Sequence, residues 1–90
     1  MKTENMTNGN GKKVANQYII FDSEFTMFKS YNSNIVKTCF VDGKRKVYLD
    51  SYYWDYSNTT SKYRNLFLGE TTKETKAKIA SGEYELVDLN

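Results

Sequence analysis

The sequence predicts a small α+β protein, in which an antiparallel sheet of four to five strands carries two short helices packed on one face, in the order β-β-β-β-α-α-β. Two observations predict this class. Up to Leu49, short segments rich in β-branched and aromatic residues are separated by turn residues, as is typical of strands. From residue 58 the apolar spacing becomes helical, and residues 83–89 then form a last apolar segment. A chain of 90 residues has room for one domain.

The first sixteen residues are expected to form a disordered polar leader, with a single α+β domain over residues 17–90. Only Met1, Met6, Val14 and Ala15 are apolar here, too few to offset the entropy cost of ordering. The leader lacks the apolar run of a secretory signal. The alternative is a basic arm that contacts a phosphate backbone through its lysines.

Four strands are predicted ahead of the helices, over residues 18–21, 25–31, 35–41 and from 44 to 49. The strongest local signal is Asp42-Gly43, because a type I′ turn needs two residues that accept positive φ. This turn places Val36 opposite Leu49 in the neighbouring strand. The register predicts a core face of Val36, Thr38, Phe40, Val47 and Leu49, and an opposite face of Ile35, Lys37, Cys39, Lys46 and Tyr48.

The first helix is predicted over residues 58–68. Tyr63, Leu66 and Phe67 follow the i, i+3, i+4 spacing of a helical apolar face. Ser57 or Asp55 can cap its start. Gly69 lies just past its end, where a left-handed residue is favoured.

The second helix is predicted to begin at a capping box formed by Thr71 and Glu74, and to end at Gly82. Its apolar residues are Ala77, Ile79 and Ala80. We therefore expect a thin surface helix, followed by the last strand.

Composition argues against an enzyme. There is no histidine, which removes the commonest catalytic base and the commonest zinc ligand, and the single cysteine, Cys39, excludes an internal disulfide. Asp50 with Glu74-Thr75-Lys76 vaguely resembles a nuclease pattern, but that pattern needs a strand where a helix is predicted. No apolar run approaches the ~20 residues of a membrane span. We predict no catalytic residue, cofactor or metal, and a soluble protein of a reducing compartment.

The densest group of candidate binding residues surrounds the start of the first helix. Four aromatic residues in five positions cannot all point inward, so part of this segment should be exposed. One interpretation is a partner or anion contact, or a platform for stacked bases. The other is structural, with Trp54 and Tyr56 anchoring the helix while Ser57 caps it. The candidate partner-binding residues are Tyr52, Tyr53, Trp54, Tyr56, Lys62, Tyr63 and Arg64.

A basic hairpin is the second candidate. Between residues 29 and 46, Asp42 is the only acidic residue. This local positive charge could meet nucleic acid or an acidic protein face. Alternatively, the lysines protect an exposed strand edge from pairing with another chain. The patch consists of Lys37, Lys44, Arg45 and Lys46.

Three segments resemble small proteins of bacteriophages and mobile elements of Gram-positive bacteria. They are the Tyr53–Leu68 block with its Tyr-Trp-Asp-Tyr-Ser start, the strand-turn-strand entry at residues 30–36, and the ending at residues 78–90. The sequence departs from many such relatives at Ile35-Val36-Lys37, where they carry an aliphatic residue followed by alanine. The resemblance implies no catalytic residues, and it implies an accessory protein in the cytoplasm of a bacterial host that binds a host protein such as a CRISPR effector.

Three functions follow as hypotheses. The first is a non-enzymatic phage-type protein that inhibits a host defence or nucleic-acid-handling protein by direct binding, which the resemblance favours. The second is a small nucleic-acid-binding module that uses the basic hairpin and exposed aromatic residues. The third is a structural virion or assembly protein, and an exposed edge strand would also be compatible with a homodimer. The net charge of +2 argues against an acidic DNA mimic.

Overall fold

A computed structural model describes residues 1–90, which form one six-stranded sheet and two helices. The elements are β1 (Lys2–Thr7), β2 (Lys13–Phe21), β3 (Thr26–Ser30), β4 (Ser33–Val41), β5 (Lys44–Asp50), α1 (Asn58–Leu68), α2 (Thr72–Ser81) and β6 (Tyr84–Val87). The α+β class and the two short helices are confirmed. The sheet has more strands than expected and is mixed, because β1 to β5 are antiparallel neighbours whereas β6 runs parallel to β5. Neither helix has the length and apolar character needed to cross a membrane.

The N-terminal segment lies in the sheet, which corrects the expectation of a disordered leader over residues 1–16. β1 pairs antiparallel with β2, and Met6 is buried. The side chain of Asn8 accepts hydrogen bonds from the backbone N–H groups of Asn10 and Lys12, which closes the turn between the strands. Backbone pairing and the hydrogen bonds of the turn hold this polar strand in the sheet. Neither can be recognised from the number of apolar residues in the segment.

The β4–β5 hairpin has the predicted register, with Val36 opposite Leu49. Asp42 and Gly43 have φ values of 53° and 78°, as the tight turn requires. Val36, Val47 and Leu49 are buried, but Phe40 is 74% exposed. Its predicted place in the core is wrong because residues 40–46 project past the packed part of the sheet and are all exposed.

A bulge in β4 corrects the predicted position of Ile35. Phe28 pairs with Val36 and Lys29 pairs with Asn34, so Ile35 is an extra residue without a partner. Ile35 and Val36 are consecutive and both fully buried. The bulge therefore turns Ile35 onto the core side of the sheet, whereas strict alternation predicted it on the opposite face.

Helix α1 has the predicted bounds but a different buried face. Ser57 caps its start, and Gly69 ends it with a φ of 72°. Leu66 is 58% exposed, whereas Thr60 and Arg64 are buried beside Tyr63 and Leu68. The helix is rotated relative to its most apolar face, so that a threonine and an arginine point inward.

Helix α2 forms the predicted capping box between Thr71 and Glu74. Ala77 and Ala80 are exposed, and Thr75 is its only fully buried residue. Its contribution to packing comes mainly from Ile79, which is half-buried against the core. The expectation of a thin surface helix is confirmed.

Both helices cover the same face of the sheet. The ring of Phe67 stacks on that of Phe28 at 5.9 Å between centroids, and Tyr63 and Leu68 join the same core. The buried core comprises Met6, Phe28, Ile35, Val36, Val47, Leu49, Tyr63, Leu68 and Tyr84. We call the other side of the sheet the open face, because neither helix packs on it.

Candidate functional site

The aromatic segment forms a turn-rich loop, residues 51–57, which we call the tyrosine loop. It connects the end of β5 to the start of α1. Asp50, which is buried, organises its first residues: its carboxylate accepts hydrogen bonds from the backbone N–H groups of Tyr52 at 3.1 Å and Tyr53 at 2.8 Å. The same carboxylate accepts from Leu89 N–H at 2.9 Å and from the Asn90 side-chain amide at 3.0 Å. Asp50 therefore joins the loop to the C-terminal segment.

The electrostatics of Asp50 follow from these four hydrogen bonds. Burial raises the pKa of a carboxylate, but the hydrogen bonds from Leu89, Tyr53, Asn90 and Tyr52 outweigh burial and hold the pKa of Asp50 below its ordinary value. Asp50 is therefore ionised at neutral pH. All four donors to Asp50 are neutral, so the carboxylate acts as a structural anion and not as half of an ion pair.

Arg64 fixes the other side of the tyrosine loop from within the protein. Its guanidinium donates to the backbone oxygen of Trp54, to the Asp55 carboxylate at 3.3 Å and to Thr72 Oγ1 at 2.7 Å. It also lies 5.1 Å from the centre of the Trp54 ring, within cation–π range. Burial lowers the pKa of Arg64, and the Asp55 carboxylate opposes that effect.

The seven candidate partner-binding residues divide by exposure. Arg64 and Tyr63 are buried and cannot contact a partner in this fold. Tyr53 and Trp54 are half-buried and pack against the core. The members that remain accessible are Tyr52, Tyr56 and Lys62.

Three tyrosine rings of the loop contact one another. The ring centroids of Tyr52 and Tyr53 are 4.7 Å apart, and those of Tyr53 and Tyr56 are 5.4 Å apart. Both pairs have the edge-to-face geometry that aromatic rings prefer. Tyr53 is thus an inner ring that supports two outer ones, with Tyr52 73% and Tyr56 65% exposed.

A groove separates the tyrosine loop from the turn between β3 and β4. Its volume is about 580 Å³, and its lining includes Tyr53, Tyr56, Thr59 and the turn residues Tyr31 and Asn32. Tyr31 is 52% exposed and has a φ of 55°. Tyr31 is not among the candidate residues predicted from the sequence, and the signal for it is its position beside the asparagine-rich turn.

The start of α1 forms the floor of this groove. Ser57 accepts a hydrogen bond from Thr60 N–H at 3.1 Å, and Thr60 Oγ1 lies 3.0 Å from Ser30 Oγ of β3. The predicted capping role of Ser57 is confirmed. Arg64 does not serve the predicted anion site, because its guanidinium is directed to Trp54 and Thr72.

The basic patch lies at the opposite end of β5 from the tyrosine loop. Lys44, Arg45 and Lys46 are exposed around the hairpin turn, and Lys37 is half-buried with its Nζ 5.2 Å from the centre of the Phe25 ring. A strand of seven residues, such as β5, separates the two ends by ~20 Å. The two surfaces predicted from sequence are therefore separate.

A buried polar cluster, which was not predicted from the sequence, connects the loop between α1 and α2 with α2 and β6. The Glu70 carboxylate accepts hydrogen bonds from Thr75 Oγ1, from the Tyr84 hydroxyl at 2.6 Å and from Lys78 Nζ at 2.9 Å. Burial raises the pKa of Glu70, but these hydrogen bonds and the Lys78 charge outweigh burial and lower it. Burial and the Glu70 carboxylate raise the pKa of Tyr84, which keeps its hydroxyl a neutral donor. No group of three acidic or cysteine side chains is placed to hold a metal ion.

The Glu70 cluster predicts a loss of stability in acid. A carboxylate whose pKa is lower in the folded protein stabilises it above the unfolded pKa, and this contribution disappears as the pH falls through the folded value. We expect the free energy of unfolding to fall progressively below about pH 5. The slope should be shallower for Glu70→Gln and unchanged for the exposed control Glu24→Gln, as measured by urea unfolding at each pH. An equal slope in all three proteins would contradict this role of Glu70.

Comparison with known proteins places the chain in a family. A family model matches residues 1–83, from the N-terminal strand to the end of the second helix, so that the match includes β1, the tyrosine loop and the basic hairpin. No curated protein and no solved structure matches the chain. The chain belongs to DUF8033, a family of unknown function.

Proposed function

We propose that this protein is a non-enzymatic binding protein that inhibits a host defence or nucleic-acid-handling protein, and that it binds this partner through Tyr31, Tyr52 and Tyr56. We call these three residues the tyrosine surface. The observation that carries the proposal is the exposure of these three rings at one groove: Tyr31 and Tyr56 line it, and the ring of Tyr52 lies 6.4 Å from that of Tyr56. The class of partner comes from the resemblance to small phage and mobile-element proteins.

The chemistry of the tyrosine surface suits a protein interface. Tyrosine is enriched at interface hot spots, because its ring buries a large area and its hydroxyl supplies a hydrogen bond. Tyr52 is 73% exposed and Tyr56 is 65% exposed. Because most of each ring is exposed to solvent and not packed in the core, its surface can be buried against a partner.

The tyrosine surface is also rigidly supported. Asp50 holds the start of the tyrosine loop through two backbone N–H groups, and Arg64 holds its middle through the Trp54 carbonyl. A loop whose backbone is already held in place loses less conformational entropy on binding, so a larger share of the contact energy becomes affinity. Buried charges that position a loop of exposed rings are consistent with a binding surface.

The proposal is tested by replacing Tyr52 and Tyr56 with alanine together. A tagged wild-type protein should capture one stoichiometric partner from a nuclease-treated lysate of a Gram-positive host, and should inhibit that partner's activity once it is purified. We expect the double variant to bind the purified partner at least about 100-fold more weakly, since each hot-spot residue contributes ~2 kcal/mol. Isothermal titration calorimetry measures the difference.

Leu66→Ala is the matched control, because Leu66 is 58% exposed on α1 but does not line the groove. It should bind like wild type. Equal binding by wild type and the double variant, a partner that is captured only when the nuclease treatment is left out, or self-association without a host partner would each overturn the proposal.

A further inference from the structure

The open face of the sheet carries a pattern that the tyrosine surface does not use. Side chains alternate along a strand, so Met27 and Lys29 beside the buried Phe28 point away from the helices, as do Lys37 beside Val36 and Tyr48 beside Leu49. The exceptions are Ile35, which the β4 bulge turns inward, and Asp50, which is buried at the end of β5. The outward-pointing side chains fall into rows across the strands, as the pairing of Ile20 with Met27, of Met27 with Lys37, and of Lys37 with Tyr48 shows. The central open-face residues are Tyr18, Ile20, Met27, Lys29, Lys37, Cys39, Lys46, Tyr48 and Glu85.

Positive charge is concentrated on this face. The whole chain is nearly balanced, with 13 basic and 11 acidic residues. Among the central open-face residues the cations are Lys29, Lys37 and Lys46, whereas the only acid is Glu85, on the edge strand β6. The open face is therefore complementary to a polyanion.

Aromatic rings and lysines are paired twice on the same face. Tyr18 of β2 lies directly opposite Lys29 of β3, and Tyr48 of β5 lies directly opposite Lys37 of β4. The two tyrosines lie on strands that are three spacings apart, or ~14 Å. Neither tyrosine is buried, although each is partly covered by its neighbours.

We infer that the open face binds single-stranded nucleic acid, with Tyr18 and Tyr48 stacking on bases and Lys29, Lys37 and Lys46 neutralising phosphates. Single-strand binding combines a basic surface with rings that stack on bases whatever their sequence, and both elements are present here. Lys46 also continues the face towards Lys44 and Arg45 at the hairpin turn, which lengthens the basic track. This site shares no residue with the tyrosine surface, although Tyr31 lies beside Tyr18 and Lys29 in a shallow pocket, and it does not depend on the proposed protein partner.

The test measures the fluorescence anisotropy of a labelled single-stranded oligonucleotide of about 12 nucleotides, a length within the range of known single-strand sites. Wild type should bind saturably, and affinity should fall linearly on a log–log plot against salt. The variant Lys29→Gln/Lys37→Gln should weaken binding at least about tenfold at low salt and reduce the slope by about 1 to 1.5, because each phosphate contact on a single strand contributes ~0.7.

Lys73→Gln/Lys76→Gln is the matched control, because it removes the same charge from exposed positions of α2 on the helical side. It should bind about as tightly as wild type and keep the same slope. If both double variants weakened oligonucleotide binding equally, only the net charge of the protein would matter, and the proposed binding site on the open face would be refuted.

Stacking is tested separately at the two tyrosines. Tyr18→Leu/Tyr48→Leu should lose about tenfold or more in affinity, whereas Tyr18→Phe/Tyr48→Phe should keep it, because stacking needs the ring and not the hydroxyl. Thermal unfolding shows whether each variant is folded. If the leucine variant is not folded, the phenylalanine variant still tests the open face, because it removes both hydroxyls and keeps both rings. Absence of saturable binding by wild type, tighter binding to a duplex of the same sequence, or equal binding of polyglutamate would overturn the inference. Tyr52→Ala/Tyr56→Ala should not change oligonucleotide affinity.

Discussion

Replacing Arg64 by alanine should reduce the free energy of unfolding by about 2–4 kcal/mol, because it removes a large buried side chain together with its hydrogen bonds. Arg64 is fully buried, and its guanidinium donates to the backbone oxygen of Trp54, to Asp55 and to Thr72. The change leaves these acceptors without their donor and creates a cavity beneath the tyrosine loop. Lysine should not restore stability, because a single ammonium cannot reproduce the planar fork of donors.

Urea unfolding followed by tryptophan fluorescence measures this loss. Trp54 is the only tryptophan, and its ring contacts the Arg64 guanidinium, so its emission reports on this site. The control is Lys62→Ala, two positions earlier on α1 and exposed, which should change stability by no more than about 0.5 kcal/mol. A loss below about 1 kcal/mol for Arg64→Ala would contradict the role of Arg64 as the internal support of the loop.

Replacing Asp50 by alanine should cost about 2–4 kcal/mol, because hydrogen bonds to a charged group contribute ~1.5–3 kcal/mol and their loss leaves N–H groups unsatisfied. The four donors come from the tyrosine loop and from the C-terminal segment. Both segments should therefore loosen together. Hydrogen exchange at the amides of Tyr52, Tyr53 and Leu89 should accelerate more than exchange in the β3–β4 core.

Asparagine at position 50 separates shape from charge. Asp50→Asn keeps the size of the side chain but replaces one acceptor oxygen by an NH₂ group that faces N–H donors, so it should also destabilise. It should make acid unfolding shallower, because a carboxylate with a lowered pKa stabilises the protein only while it is ionised. The control is Glu24→Gln, an exposed carboxylate in the loop between β2 and β3. If the amides of Tyr52, Tyr53 and Leu89 exchanged at the wild-type rate in Asp50→Ala, the proposed link between the tyrosine loop and the C-terminal segment would be contradicted.

Turn and cap chemistry made several elements predictable from the sequence. The Asp42-Gly43 turn determines the register of the β4–β5 hairpin, because only residues that tolerate positive φ fit both positions. Helix α1 begins after its cap Ser57 and ends before Gly69, and α2 begins at the Thr71–Glu74 capping box. In each case the hydrogen bonds or the backbone angles involve residues close together in the chain, and such interactions are encoded locally.

Elements that depend on partners distant in the chain were mispredicted. β1 is polar and is ordered by pairing with β2, and the bulge that buries Ile35 depends on how β4 meets β3. β6 lies parallel to β5 only because the two helices form the connection between these strands. Pairing between strands adds backbone hydrogen bonds that no local composition reveals.

The candidate site shows the same division. The sequence by itself determined that residues 52–64 combine too many aromatic rings to bury and that positive charge gathers between residues 29 and 46. Only the tertiary structure decided that Arg64 is an internal support while Tyr52 and Tyr56 are exposed, and that lysines and tyrosines from four strands share one open face. The physical reason is that the exposure of a side chain depends on which face of its helix or strand packs against another element. The sequence alone does not distinguish a buried arginine from an exposed one, because the acceptors that allow its burial come together only in the folded protein.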